Sequence, residues 1–341
     1  MTTKTKIRIF MADTFDPWFN LATEDWLFRD MNPVVPTLFL WRNENTVVIG
    51  RFQNPWTECN VEKMEEDGIK LARRQSGGGA VFHDLGNTNF TFLNAKEHYD
   101  KNTNNSIIID ALSKFGIKCE ASGRNDMVVL TDEGEKKISG SAFKETKDRA
   151  FHHGTLLIDA DLTKLSKYLN PNKKKLESKG IKSVRARVTN LVQENEMMNH
   201  DELCQAIIES FQSKYGAKAE VEHLSYETLK EIPELQERYE KLKDWNWRFG
   251  ETPKFSHFME ERFSWGTMEV HLDSHKGMIK QVKIYSDSLH PEMIELLQQQ
   301  LCDIAYDPKA VAKAVGLVME ELPMISDYLL EFSDWLSLQV K

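Results

Sequence analysis

The chain of 341 residues lacks the usual signatures of a metal, disulfide or membrane protein. Its four cysteines, Cys59, Cys119, Cys204 and Cys302, stand far apart with no CxxC pair, which excludes a zinc ribbon and a disulfide framework. Its ten histidines show no HExxH spacing. No apolar run is long enough for a membrane span, and Met1-Thr2-Thr3-Lys4-Thr5-Lys6 precedes only a short apolar segment, not a signal-peptide core. Cytoplasm is the expected compartment, with no membrane partner. Positive charge is not in excess either: a formal net charge of −9 argues against a nucleic-acid coat. Repeats and low-complexity tracts are missing. What is present is 40% hydrophobic residues, enough for substantial cores, on a length that suits two domains or one large domain with an appendage.

The most informative run is Arg73-Arg74-Gln75-Ser76-Gly77-Gly78-Gly79-Ala80-Val81-Phe82-His83-Asp84. Three successive glycines cost backbone entropy, so a fold keeps them where a side chain would block something. Backbone N–H groups in such a bend converge on anions, and arginine offers a planar fork to phosphate or carboxylate. The two common phosphate motifs do not fit. A P-loop closes on Lys-Ser or Lys-Thr, which Phe82-His83-Asp84 does not supply, and a dinucleotide fingerprint needs glycine or alanine at Phe82. A site for an anion against the main chain and a tight turn between strands with two solvated arginines both remain open from the pattern alone.

Periodicity reads the first half as strands interleaved with helices. Ile7–Phe10 is a strand, and Asp16–Asn20 leads into a helix over Leu21–Met31, ended by Asn32-Pro33. Thr37–Trp41 and Thr46–Ile49, joined by polar Arg42–Asn45, read as a hairpin. Helices are expected over 60–67, 106–115 and 201–215, the last with the stripe Leu203, Ile207, Ile208 and Phe211. Strands are expected over 88–93, 118–121, 127–130 and 154–158. Gly134–Lys137 reads as a turn entering Ile138–Phe143, and the polar, basic stretch from Asn170 through Val188 as a mobile surface segment. Past a linker between Trp245 and His257 the pattern changes. Met268, Val270 and Leu272 alternate, as do Val282 and Ile284, and three helical patterns follow. This reads as a small α+β domain without a catalytic pattern.

Further polar clusters interrupt the apolar strands: Asn87-Thr88-Asn89, Ser122–Asp126, Lys136–Ala142 and Phe151–Thr155. Each alone is as well explained by a turn or a solvated edge. Trp41, Val48, Phe82 and Phe143 suit an apolar channel, and core packing explains them equally well.

Taken in order, Arg73–Asn87, Ala121–Asp126, Lys137–Ala142, Phe151–Leu157 and Ser183–Leu191 make the chain resemble the bacterial lipoate–protein ligase A family along nearly its whole length. The resemblance implies a mixed α+β fold. A biotin/lipoate ligase-type catalytic domain with mixed β-sheets and flanking helices would span 1–246, with a linker over 247–257 and a small α+β accessory domain over 258–341. It implies that lipoate and ATP, with Mg²⁺, give lipoyl-AMP and pyrophosphate. The lipoyl group then passes to one lysine of lipoyl domains in 2-oxoacid dehydrogenase complexes or of the glycine cleavage H protein, the enzyme acting as a monomer. By position, Arg74 matches the arginine on the nucleotide phosphates. Gly77, Gly78 and Gly79 match the lipoate-binding loop, and Gly79-Ala80-Val81-Phe82 the ATP segment. Lys137 matches the lysine that touches both lipoate carboxyl and α-phosphate. Asn87, Asn125, Asp126 and His153 match supporting pocket residues, His153 on the lipoate side and Asp126 as a metal ligand. Gln75 departs from an expected serine.

Adenylation joins two anions, so fixed cations and oriented donors are what the chemistry needs. An octanoyltransferase of the same superfamily would work through a cysteine, and none of the clusters contains one. A non-catalytic lipoate or nucleotide binder would have no reason to keep Arg74, the glycines and Lys137 together.

Overall fold

A computed structural model describes residues 6–132, 134–170, 188–249, 257–275 and 277–340. They group into two units. The first comprises the chain up to Ile49, Pro55–Gln75 and Ala80–Phe249; the second comprises Gly50–Asn54, Ser76–Gly79 and the chain beyond Phe249.

Among the described residues of the first unit, β1 (Arg8–Ala12), β2 (Thr37–Trp41), β6 (Asn87–Ala95), β7 (Cys119–Ser122), β8 (Asp126–Thr131), β9 (Gly134–Glu145), β10 (Arg149–Leu157) and β11 (Val221–Leu224) form one mixed sheet. Its order is β11-β1-β2-β6-β10-β9-β8-β7. A smaller sheet has the order β4-β3-β5, from β3 (Thr46–Ile49), β4 (Lys70–Arg73) and β5 (Val81–His83). Side chains alternate across the large sheet. Leu38, Leu40, Phe90 and Phe92 face a core shared with the helices Lys101–Ser113 and His200–Tyr215. Phe39, Trp41, Leu93 and Phe151 face a second core shared with the helix Pro17–Asp30.

That helix starts four residues earlier than periodicity suggests. Asp16 is its N-cap, accepting the Trp18 N–H at 2.9 Å, with Pro17 at the first helical position. At the far end Arg149 donates to the carbonyls of Phe28 and Arg29 at 2.7 and 2.8 Å, closing the orphan groups of the last turn.

Two expectations need correction. Thr37–Trp41 and Thr46–Ile49 do not pair with each other: β2 pairs with β1 and β6, whereas β3 pairs with β4 and β5. Both strands are buried at every position, so each needs neighbours on both sides, and Asn43 between them is tied to Asn20 and His83. Lys136 and Lys137 lie inside β9 and not in a turn, because the turn closes at Gly134, whose φ is +98°. Most of the stretch from Asn170 to Val188 lies outside the described residues.

In the second unit, β12 (His257–Phe263), β13 (Gly266–His275) and β14 (Met278–Ser286) form a meander, followed by the helices Pro291–Gln300, Pro308–Glu321 and Ser326–Gln339. Met268, Val270, Leu272 and Ile284 meet Val311, Val315, Phe332 and Leu336 in one apolar core. Strands come first and helices after, as the alternation of Met268, Val270 and Leu272 indicates.

Candidate active site

One row of residues crosses the large sheet. Trp41 on β2 stands opposite Asn89 on β6, and Asn89 opposite Thr155 on β10. The Thr155 hydroxyl accepts the Gly140 N–H at 3.1 Å, and Gly140 on β9 stands opposite Asp126 on β8. Directly opposed residues share a face, so an apolar end and a charged end of one surface are set by strand register alone.

At the charged end, the Lys137 ammonium lies 2.7 Å from Asp126 Oδ1, both groups partly exposed. The register of β8 and β9 slips here: Met127 stands opposite Ser139, but Val128 opposite Lys137. The extra residue is a β-bulge, which re-aims the side chains beside it. Asn125 closes this edge by exchanging two bonds with Ser141, its Nδ2 donating to the carbonyl at 2.8 Å and its carbonyl accepting the N–H at 2.7 Å. Lys101 donates to the carbonyl of Arg124 and feels the charge of Asp126. Among the described residues no group of three or more His, Cys, Asp or Glu side chains is placed to hold a metal.

Toward the apolar end the polar groups are buried. Glu24, 1% exposed in the middle of the helix Pro17–Asp30, accepts the Thr91 hydroxyl at 2.7 Å and pairs with His153 Nδ1 at 2.8 Å. Trp41 Nε1 donates to Thr91 Oγ1 at 3.1 Å. Arg74, 5% exposed, donates to the Val48 carbonyl at 3.2 Å. Burial pushes its pKa down to about 10, opposed by the charge of Glu24. His83 is held neutral, its pKa pushed down to about 3 by burial and then by Arg74 and His153. Asn43 donates to His83 Nδ1 at 3.2 Å, so the ring proton sits on Nε2, which has no partner. Asn87 Nδ2 donates to Asn89 Oδ1 at 3.0 Å, leaving Asn87 Oδ1 and Asn89 Nδ2 without partners. Buried polar atoms are rarely left so.

The two adjacent arginines part company. Arg73 donates to the carbonyls of Trp247 at 2.9 Å and Arg248 at 2.8 Å, and Trp247 Nε1 donates back to the Arg73 carbonyl at 3.0 Å. It secures the short helix Trp245–Phe249. Arg74 joins the buried polar cluster. Ala80, Val81 and Phe82 lead into and form β5, with Phe82 packed on Tyr168 at a ring distance of 5.6 Å. Gln75 Oε1 accepts from Lys144 at 3.4 Å.

Gly77, Gly78 and Gly79 belong to the second unit. A Cβ on Gly77 would collide with the Ser288 carbonyl, and the Gly78 N–H donates to that same oxygen at 2.9 Å. Gly78 has φ +87°, a region favouring glycine. Close approach of main chain accounts for Gly77, and the left-handed backbone for Gly78. Glu24 and Thr91 were not singled out from sequence, and Gly140 and Thr155 lay within two of the polar clusters without a role of their own. For Glu24 the only signal is a carboxylate in a helix whose neighbours Leu21, Ala22, Trp26, Leu27 and Phe28 are all apolar and buried.

Residues 16–212 match the family model described as "Lipoyl protein ligase A/B catalytic domain", and residues 252–336 the one described as "Bacterial lipoate protein ligase C-terminus". The chain is 53% identical over 336 residues to a lipoate-protein ligase A of Psychrobacter cryohalolentis, covering 97% of this chain and 98% of that one. Plasmodium falciparum LipL1, solved in complex with lipoate, is 34% identical with a TM-score of 0.83, covering 97% of this chain and 99% of that one. The bipartite lipoate protein ligase of Thermoplasma acidophilum, described with its E2 lipoyl domain, is 28% identical with a TM-score of 0.64, covering 74% and 100%. A lipoate-protein ligase A bound with ATP is 26% identical with a TM-score of 0.62, covering 72% and 99%. Among the described residues no helix is long and apolar enough to cross a membrane.

Proposed function

The chain belongs to the lipoate–protein ligase family and is an enzyme, and from that premise we propose that it lipoylates proteins in two ATP-driven steps. First, a carboxylate oxygen of (R)-lipoate attacks the α-phosphorus of ATP. The new C–O–P bond makes lipoyl-AMP, and the bond to pyrophosphate breaks. Then the neutral ε-amine of an acceptor lysine attacks the lipoyl carbonyl, an amide forms, the amine loses a proton and AMP leaves.

The observation that supports this reading is the row Trp41–Asn89–Thr155–Gly140–Asp126 with Lys137 at its charged end. Lys137 meets the attacking carboxylate and the α-phosphate, offsetting their repulsion as charge spreads over the phosphate oxygens. Arg74, a desolvated cation, gains from any anion brought to it and holds phosphate oxygens. Asn87 and Asn89 offer one acceptor and one donor to the bound intermediate, and His153 lies on the lipoate side with Glu24 fixing its ring. By the family match Gly77, Gly78 and Gly79 serve lipoate and Gly79–Phe82 the nucleotide, and Asn125 holds the edge of β9 in place. Mg²⁺ arrives as part of the substrate, its ligands mainly triphosphate oxygens and water, with Asp126 the one carboxylate offered to it.

Residues 1–246 carry the chemistry and 258–341 are the accessory part, joined through 247–257. The enzyme acts as a monomer in the cytoplasm on lipoyl domains of 2-oxoacid dehydrogenase complexes and on the glycine cleavage H protein. Mass spectrometry of purified apo acceptor incubated with enzyme, MgATP and lipoate tests the reading. A gain of one lipoyl group on a single lysine, strictly dependent on ATP, is expected. Transfer from an acylated carrier protein without ATP identifies an acyltransferase, and lipoate binding without pyrophosphate release identifies a binding protein.

A further inference from the structure

Gly140 does not owe its identity to backbone conformation, because its φ lies outside the left-handed region. What a side chain would meet there is Lys137. A Cβ built on Gly140 would sit 2.8 Å from Lys137 Nζ and 3.1 Å from its Cε. The bulge between the Met127 and Val128 pairings brings this about, since residues 137 and 140 of a regular strand would face opposite sides.

The backbone at Gly140 has no freedom to withdraw. Its N–H is tied to Thr155 Oγ1 at 3.1 Å, and the next residue, Ser141, is bound twice by Asn125. A new methyl would therefore displace the flexible lysine head, not the strand. Asp126, directly opposite Gly140, fixes the other side of the same space and holds the ammonium at 2.7 Å.

We propose that Gly140 is a positioning residue: its missing Cβ, held in place by Thr155 and Asn125, is the floor that sets where the Lys137 ammonium rests between Asp126 and an incoming anion. The proposal rests on the reading of Lys137 as the residue that meets carboxylate and phosphate. Asp126 keeps the ammonium parked until substrate oxygens replace it.

Gly140→Ala tests this through lipoate-dependent ATP–pyrophosphate exchange. Displacing a reacting group by about 1 Å costs up to about a hundredfold in rate, so a loss of about ten- to a hundredfold in kcat is expected with melting unchanged. ATP affinity, read by calorimetry, also falls in Gly140→Ala but falls no further when Gly140→Ala is added to Lys137→Ala. Wild-type exchange in Gly140→Ala, while Lys137→Ala has none, overturns the proposal and leaves the reading of Lys137 intact. A full additional loss of affinity on the Lys137→Ala background also overturns it. Near-normal exchange in Lys137→Ala itself defeats the reading beneath it. If Gly140→Ala does not fold, Lys137→Arg decides: the broader head cannot enter the space, so exchange is lost although charge is kept, and retained exchange refutes the proposal.

Discussion

The two units bury polar groups in opposite ways. In the first, Glu24, Arg74, His83, Asn87, Asn89 and His153 are all buried polar groups, and one side-chain atom each of His83, Asn87 and Asn89 has no hydrogen-bond partner. In the second, the core is apolar, and among its buried polar residues Asp287, Ser286 and Ser288 are engaged. Asp287 takes two bonds from Arg262 at 3.0 Å and one from the Thr267 N–H at 2.7 Å, and Ser286 Oγ bonds the Thr267 carbonyl and the Ser288 N–H. An unsatisfied buried polar atom costs about 1–3 kcal/mol, and a bound ligand or water at Asn87 and Asn89 would recover it. The proposed phosphate chemistry rests on the polar cluster of the first unit, whereas in the second Gly77 and Gly78 pack on the Ser288 carbonyl.

Lys137→Ala attacks the first side of that contrast most heavily. Pyrophosphate exchange should fall by about a thousandfold or more, as for loss of a group that stabilises developing charge, with circular dichroism and melting little changed. Near-normal exchange breaks the contrast. Gly77→Ala attacks the other side. Its Cβ meets the backbone carbonyl of Ser288, so melting should drop by the equivalent of about 1–3 kcal/mol, the cost of overpacking. An unchanged melting point shows that the turn Ser286–Leu289 does not support the loop.

Arg73→Ala and Arg74→Ala sharpen it within a single dipeptide. Arg73→Ala should lower melting and leave the KM for ATP within a few-fold. Arg74→Ala should raise the KM for ATP by about tenfold or more, the value of a charge-assisted bond to phosphate. Reversed phenotypes sink the division between them.

The smallest expected effect is on pH. His152 is fully buried on the opposite face from His153, both ring nitrogens lack partners, and burial, then His153 and Lys101, push its pKa down to about 3. A histidine whose pKa is lower folded than unfolded takes up protons on unfolding, so stability is full above the unfolded value near 6.5. It is lost as pH falls from there toward 3, by about 1.4 kcal/mol per pH unit. His152→Leu should flatten the fall in melting temperature between pH 7 and 5 and leave exchange at pH 7 unchanged. An unaltered slope assigns the acid sensitivity elsewhere, His83 being the other histidine with a pKa near 3.

Much of the candidate site is legible in the sequence because its residues fall in short local clusters. Lys137 lies three residues before Gly140, and Ser122–Asp126 leads straight into β8, so local clusters named the charged end. The apolar end was less legible: Thr91 and His153 stand opposite each other on β6 and β10, but Glu24 reaches them only through the packing of the helix Pro17–Asp30 on the sheet. The hairpin reading of Thr37–Ile49 failed for a related cause. Strand propensity was right for both segments, but burial on both faces sent each to a different sheet. Likewise Arg73 and Arg74 look alike in sequence, and only the helix Trp245–Phe249 distinguishes them.

In the proposed reaction, cations on the first unit bring two repelling anions together over the row from Trp41 to Asp126. A crystal structure with a stable lipoyl-adenylate analogue tests it most directly. The phosphate is expected within hydrogen-bond reach of Lys137 Nζ and the Arg74 guanidinium, with the lipoyl chain directed toward Trp41. A phosphate contacting neither cation contradicts it.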